Sequence, residues 1–149
     1  NLIGGDTLLA RQLERTLMIG VLQTQTHNLD PVMGGAAGPV PRVLRRAEEF
    51  MRENLHNPIM IEDIAQSAGT SVRTLQSMCR ARYGRAPMTV LRDLRLDQAW
   101  EDLSNPEPDT SVTTVAMALG FFHLGRFSEH YRRKFGCTPI ETLRAAKRP

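Results

Sequence analysis

Two groups of side chains in this sequence have the chemistry of a surface that reads a polyanion. In the first, Arg73, Thr74, Gln76, Ser77 and Arg80 share one side when successive residues are turned by ~100° each, opposite Val72, Leu75, Cys79 and Tyr83. Arg and Gln can pair bidentately with guanine or adenine edges, while Ser and Thr make smaller contacts. Thr70 and Ser71 stand just before this stretch, with Ser71 expected as its N-cap. Their hydroxyls and the unpaired amides of a helix start suit a phosphate, as do Arg82 and Arg85 at the far end.

The second group uses different residues at matching positions. Leu124, Phe127, Tyr131 and Phe135 are expected to turn inward. That leaves Gly125, Arg126 and Glu129 towards bases: Gly125 for close backbone approach, Arg126 for guanine, and Glu129 to accept from a cytosine amino group. An i,i+4 ion pair between Glu129 and Arg133 is an equally good reading of that residue. His123, Arg132, Arg133 and Lys134 are assigned to phosphates, because a basic helix end reaches backbone oxygens by many routes and a given base by few.

These groups need helices to carry them. Ile61 to Gly84 reads as a short helix, a break at Gly69-Thr70-Ser71 and a second helix, which is a helix-turn-helix pattern. It recurs in Val112 to Gly136. Ile61, Ile64, Ala65, Ala68 and Gly69 return 51 residues on as Val112, Val115, Ala116, Leu119 and Gly120. Val72, Leu75, Cys79, Tyr83, Gly84 and Pro87 return 52 residues on as Leu124, Phe127, Tyr131, Phe135, Gly136 and Pro139. The second turn therefore holds one extra residue.

Between the two units, residues 88–103 read as a strut helix with Leu91, Leu94 or the stem of Arg95, Ala99 and Leu103 on its apolar side and Trp100 packing beside it. Upstream, Pro41 opens a helix to about Leu55 that buries Val43, Ala47, Phe50 and Met51. Downstream, Thr138-Pro139 leads to a short helix over 140–146. The expected fold is all-α: two helix-turn-helix subdomains joined by a central helix, about seven helices in all, preceded by an N-terminal helix and a linker. Residues 1–30, with a helix from Asp6 to about Gln25, are expected to be the tail of a missing upstream regulatory or dimerisation domain. The Pro- and Gly-rich stretch 31–40 reads as a linker, and 41–149 as the DNA-binding domain.

Charge follows the same division. Residues 1–40 hold two basic and three acidic side chains, whereas 41–149 hold seventeen and thirteen. The positive charge gathers in the two repeated second helices, which favours a polyanionic partner. No apolar run approaches the ~20 residues of a membrane-spanning helix, so a soluble cytoplasmic protein with no membrane partner is expected. Cys79 and Cys137 form no metal-binding or disulfide pattern, and Cys79 falls on an apolar helix face as a core residue.

The stretch from about Arg42 to Arg144 resembles the DNA-binding domain of the AraC/XylS transcription regulators. The resemblance rests on Ile64-Ala65, Ala68-Gly69-Thr70-Ser71, Leu75, Tyr83-Gly84 and Arg95-Leu96-Asp97-Gln98-Ala99. It rests above all on Ala118-Leu119-Gly120-Phe121, Phe127-Ser128, Phe135-Gly136 and Thr138-Pro139. The resemblance implies a bacterial, nucleoid-associated transcription regulator whose two recognition helices, about 72–83 and 124–135, read successive major-groove segments on one face of double-stranded DNA. Because the two outward faces differ, the site is expected to be asymmetric. The resemblance further implies RNA polymerase as a partner and a homodimer formed through the upstream domain. Two departures stand out: His123-Leu124-Gly125 replaces the usual small capping Ser or Asp, and Cys79 replaces a commoner aromatic.

Two other classes compete. An enzyme would have to use His27, His56, His123, His130, the cysteines or scattered carboxylates, but no metal spacing, nucleophile elbow or phosphate-cradling loop is present. Neither catalysis nor a cofactor or metal is expected. A helical protein-interaction module would explain the apolar stripe near Leu13 but not two basic faces in register.

Overall fold

The computed structural model describes residues 39–148. The expected helix over 6–25 and the linker up to residue 38 lie outside the described residues. Gly38–Pro149 forms one compact unit. Among the described residues the regular structure is helical throughout: α1 (Arg42–Glu53), α2 (Ile61–Ala68), α3 (Val72–Tyr83), α4 (Pro87–Ser104), α5 (Val112–Ala118), α6 (Leu124–Phe135) and α7 (Pro139–Ala146). The pairs α2/α3 and α5/α6 are the two helix-turn-helix units, and α4 joins them.

Local chemistry accounts for the boundaries. Ser71, Ser111 and Thr138 each cap the helix that follows by accepting the amide of the third residue along, Thr74, Thr114 and Glu141. Pro87 and Pro139 occupy first-turn positions, where a missing N–H costs nothing. Gly69 ends α2 at φ +70, a left-handed conformation that turns the chain into α3 and that a Cβ would strain.

Packing divides the core in two, and α4 belongs to both halves. Val90, Leu91 and Leu94 join Leu44, Ala47, Met51, Ile64, Ala65, Ala68, Leu75 and Cys79. Leu96, Ala99 and Leu103 join Val115, Ala116, Leu119, Phe127, Tyr131 and Leu143. At ~100° per residue these two sets of α4 side chains point to nearly opposite sides of the helix. The sequence suggested one apolar stripe on α4. There are two, and Leu96, absent from that stripe, is 1% exposed.

The repeat is also longer than the helix-turn-helix pairs. Leu44, Ala47 and Met51 of α1 match Leu96, Ala99 and Leu103 of α4 at the same 52-residue interval, and all six are buried. Pro87 and Leu91 match Pro139 and Leu143 in the same way. The first half of α4 is thus the closing helix of one unit, and its second half is the opening helix of the next.

Two inward assignments change. In α1 the buried residues are Leu44, Ala47 and Met51, while Val43 and Phe50 only flank the core. Leu124 was expected inside but is 39% exposed, since the core space at that end of α6 is taken by Phe121, whose ring centroid lies 4.9 Å from that of Phe127. Cys79 is buried as expected, and burial with the nearby Glu48 carboxylate pushes its thiol up to about 11.

Because both cores share one helix, urea is expected to unfold residues 39–148 in a single transition, read by circular dichroism. Leu91→Ala and Leu96→Ala should each remove ~2 to 5 kcal/mol from that transition. Loss of only half the helical signal in either variant would show that the units unfold separately.

Candidate nucleic-acid interface

The outer face of α3 follows from its buried one. With Leu75 and Cys79 turned into the core, Arg73, Thr74, Gln76, Ser77 and Arg80 are all exposed. Arg73, Gln76, Ser77 and Arg80 line one shallow open groove on the surface. Neither arginine takes part in any of the ion pairs among the described residues. Thr74 differs from its neighbours, because the Ser71 hydroxyl donates to its Oγ1 at 2.9 Å. Ser71 in turn accepts the Thr74 amide at 3.2 Å, so its hydroxyl is committed to the cap. The Val72 and Arg73 amides are then the donors at this helix start that have no partner within the helix.

The face of α6 is built alike and charged differently. Phe127 and Tyr131 are buried, and the Tyr131 hydroxyl donates to Thr142 Oγ1 of α7 at 3.0 Å. Gly125, Arg126, Glu129, Arg132 and Arg133 remain exposed. Arg133 Nη2 lies 2.7 Å from Glu129 Oε1, with both side chains about two-thirds exposed, so the i,i+4 pair is formed. Such an exposed pair contributes only roughly 0.3–0.5 kcal/mol and a competing anion can open it. A Cβ added at Gly125 would meet nothing within 4 Å, so packing within the protein does not require glycine there. His123 precedes α6 without any side-chain capping bond.

Two of the cations assigned to phosphates face the strut. Lys134 Nζ lies 2.7 Å from Asp97 Oδ1 and donates to the Asp93 carbonyl at 2.8 Å. Arg85 pairs with the Asp93 carboxylate. Arg82 is half-buried near the end of α3, and Thr70 is half-buried in the turn, its amide donating to Ala65 O at 3.0 Å. Sequence reasoning missed both partners, since Asp93 and Asp97 lie on another helix. It also missed an apolar edge beside the second reader. Phe122 is 74% exposed in the turn before α6, next to exposed Leu124. The doubled Phe121-Phe122 was its signal: two aromatics follow Gly120 and the core takes only the first.

Comparison with known proteins places this geometry. A family model described as a helix-turn-helix domain matches residues 64–145. The XylDLEGF operon transcriptional activator 2 of Pseudomonas putida is 34% identical over 138 residues, covering 92% of this chain and 86% of that protein. The chain belongs to the AraC/XylS family of transcription regulators. Among solved structures, a probable AraC family transcriptional regulator from Rhodopseudomonas palustris superposes with a TM-score of 0.68 at 36% identity, over 73% of this chain and all of that one. The DNA-binding domain of the global transcriptional factor AdpA, solved in complex with a target DNA, gives 0.61 at 30% identity over 70% of this chain and 93% of that one. The chain spans well under half the length of other curated relatives that it matches.

The position of Lys134 can be checked through stability. Burial raises the Asp97 carboxyl's pKa although Lys134 opposes the shift, so the pair is costly to desolvate. Lys134→Met should lower stability by ~1 to 3 kcal/mol by leaving a half-buried carboxylate unpaired, and adding Asp97→Asn should recover most of that loss. A thermal melt of the two variants decides it, and a Lys134→Met protein as stable as the parent would refute the structural role.

Proposed function

We propose that this chain is the DNA-reading part of a transcription activator, in which α3 and α6 enter successive major-groove segments of one asymmetric duplex site. The observation that carries this reading is the groove of Arg73, Gln76, Ser77 and Arg80, exposed and outside any ion pair on a helix whose other face is locked in the core. A buried inner face fixes such a helix. Its outer face then offers bidentate donors at fixed positions, as base reading requires.

The two readers are assigned unlike work. On α3, Arg73, Gln76, Ser77 and Arg80 contact bases, Thr74 adds a contact limited by its bond to Ser71, and the amides beside Thr70 and Ser71 hold a phosphate. On α6, Gly125 and Arg126 approach bases, and Glu129 does so once its pair with Arg133 opens. Phe122 and Leu124 suit thymine methyl groups, which apolar side chains read. Arg132, Arg133, Arg82 and His123 remain phosphate contacts, whereas Lys134 and Arg85 are reassigned to holding recognition helices on α4. An activator bearing such a domain works with RNA polymerase, in the cytoplasm on bacterial DNA, and forms a homodimer through an upstream region. The relatives' names as operon activators support the activator role alone.

Selecting bound duplexes from a random pool tests the reading. Two unlike conserved segments are expected, and a palindrome from a single unit would refute it. Arg73→Ala or Arg126→Ala should cost ~1 to 3 kcal/mol and relax preference at one base pair, while Arg132→Ala should weaken all duplexes alike and flatten the salt dependence. Gly125→Ala separates folding from binding: it should leave stability unchanged or raise it by up to ~1 kcal/mol, yet weaken affinity for the selected duplex. Unchanged affinity would remove Gly125 from the interface.

A further inference from the structure

Near the middle of α4, between its two apolar faces, stands Arg95. Its Nε donates to the Leu55 carbonyl at 3.0 Å and its Nη2 to the Asn57 carbonyl at 2.7 Å. Both acceptors lie in the segment that leaves α1. The remaining nitrogen, Nη1, lies 3.1 Å from where a Cβ of Gly120 would stand, in the turn between α5 and α6. Gly120 sits at φ +80, so glycine is needed there for backbone conformation and also for room. One guanidinium therefore touches the α1–α2 connection of the first unit and the second unit's turn.

The same segment makes two more bridges. His56 Nδ1 lies 3.3 Å from the carbonyl of Ala118, the last residue of α5. Leu55 packs against both cores. The internal repeat shows that this junction is not something a helix-turn-helix unit needs in order to fold. At the 52-residue interval the counterpart of Arg95 is Val43, so the first unit is built with an aliphatic side chain at that position.

We infer that Arg95 is the positioning residue that holds α3 and α6 at one separation and angle, and thereby sets the spacing of the two DNA segments that this chain recognises. The inference rests on the proposal that both helices read one duplex. A rigid planar fork suits the task, because two charge-assisted bonds in fixed directions define an orientation that one flexible contact does not. Helices held this way cannot follow a shifted site. One base pair moves a segment by ~3.4 Å along the axis and turns it by ~35° around it.

The experiment measures affinity of the full chain for its selected duplex and for two derivatives, with one base pair inserted or removed between the recognised segments. The parent protein is expected to lose about tenfold or more on either derivative, comparable with one or two mismatched base pairs. Arg95→Met, and Arg95→Lys, which keeps the charge without the fork, should discriminate less than about threefold while retaining the parent's circular dichroism spectrum. His56→Ala, an exposed change that leaves both cores intact, should lessen the discrimination in the same direction. The inference is overturned if the Arg95 and His56 variants discriminate as the parent does. It is equally overturned if Arg95→Met and Arg95→Lys only weaken all three duplexes by one factor. A parent that binds all three alike would sink the two-reader proposal itself.

Discussion

A helix that must bury two nearly opposite faces governs this molecule. Val90, Leu91 and Leu94 on one side of α4, with Leu96, Ala99 and Leu103 on the other, leave little of the helix for solvent. Neither three-helix unit closes its core without it. Isolated helices as short as α2 or α5 are marginal in water, so their order comes from being pressed against α1 and α4. The recognition helices inherit their orientation from the same contacts, because Leu75 and Cys79, or Phe127 and Tyr131, can face inward in only one rotation of the helix.

Charge is divided along this architecture. Cations close to α4 find acids on it: Lys134 meets Asp97, and Arg85 meets Asp93. Those on the far side of α3, Arg73 and Arg80, are left outside such pairs. The second reader is partly self-neutralised through Glu129 and Arg133. The second unit therefore presents the more mixed surface, with an apolar edge at Phe122. Under the proposal that both helices read one duplex, unlike faces on one chain define direction along it.

Much of the fold was legible beforehand because each of its signals is local. Ser71 and Ser111 as caps, Gly69 as a turn and Pro87 and Pro139 as helix openers act within a few residues. The repeat then identified the inward positions twice over. The misreadings have a common origin. One stripe was sought on α4, so Leu96 was passed over. A strict match of the repeat put Leu124 inside, whereas Phe121, the counterpart of Thr70, fills that space.

The amino-acid sequence alone determined the helical class, the two units, the family and the faces of α3 and α6 that turn outward, because periodicity and capping are properties of neighbours along the chain. Only the tertiary structure decided which basic side chains stay outside ion pairs, since Asp93 and Asp97 reach Arg85 and Lys134 across helices. It also decided how the units are joined. Arg95 reads in sequence as one more strut residue, and only folding brings it to Leu55, Asn57 and Gly120. Contacts between residues about 40 apart leave no period in the chain, so their partners emerge when the packed cores fix the distances.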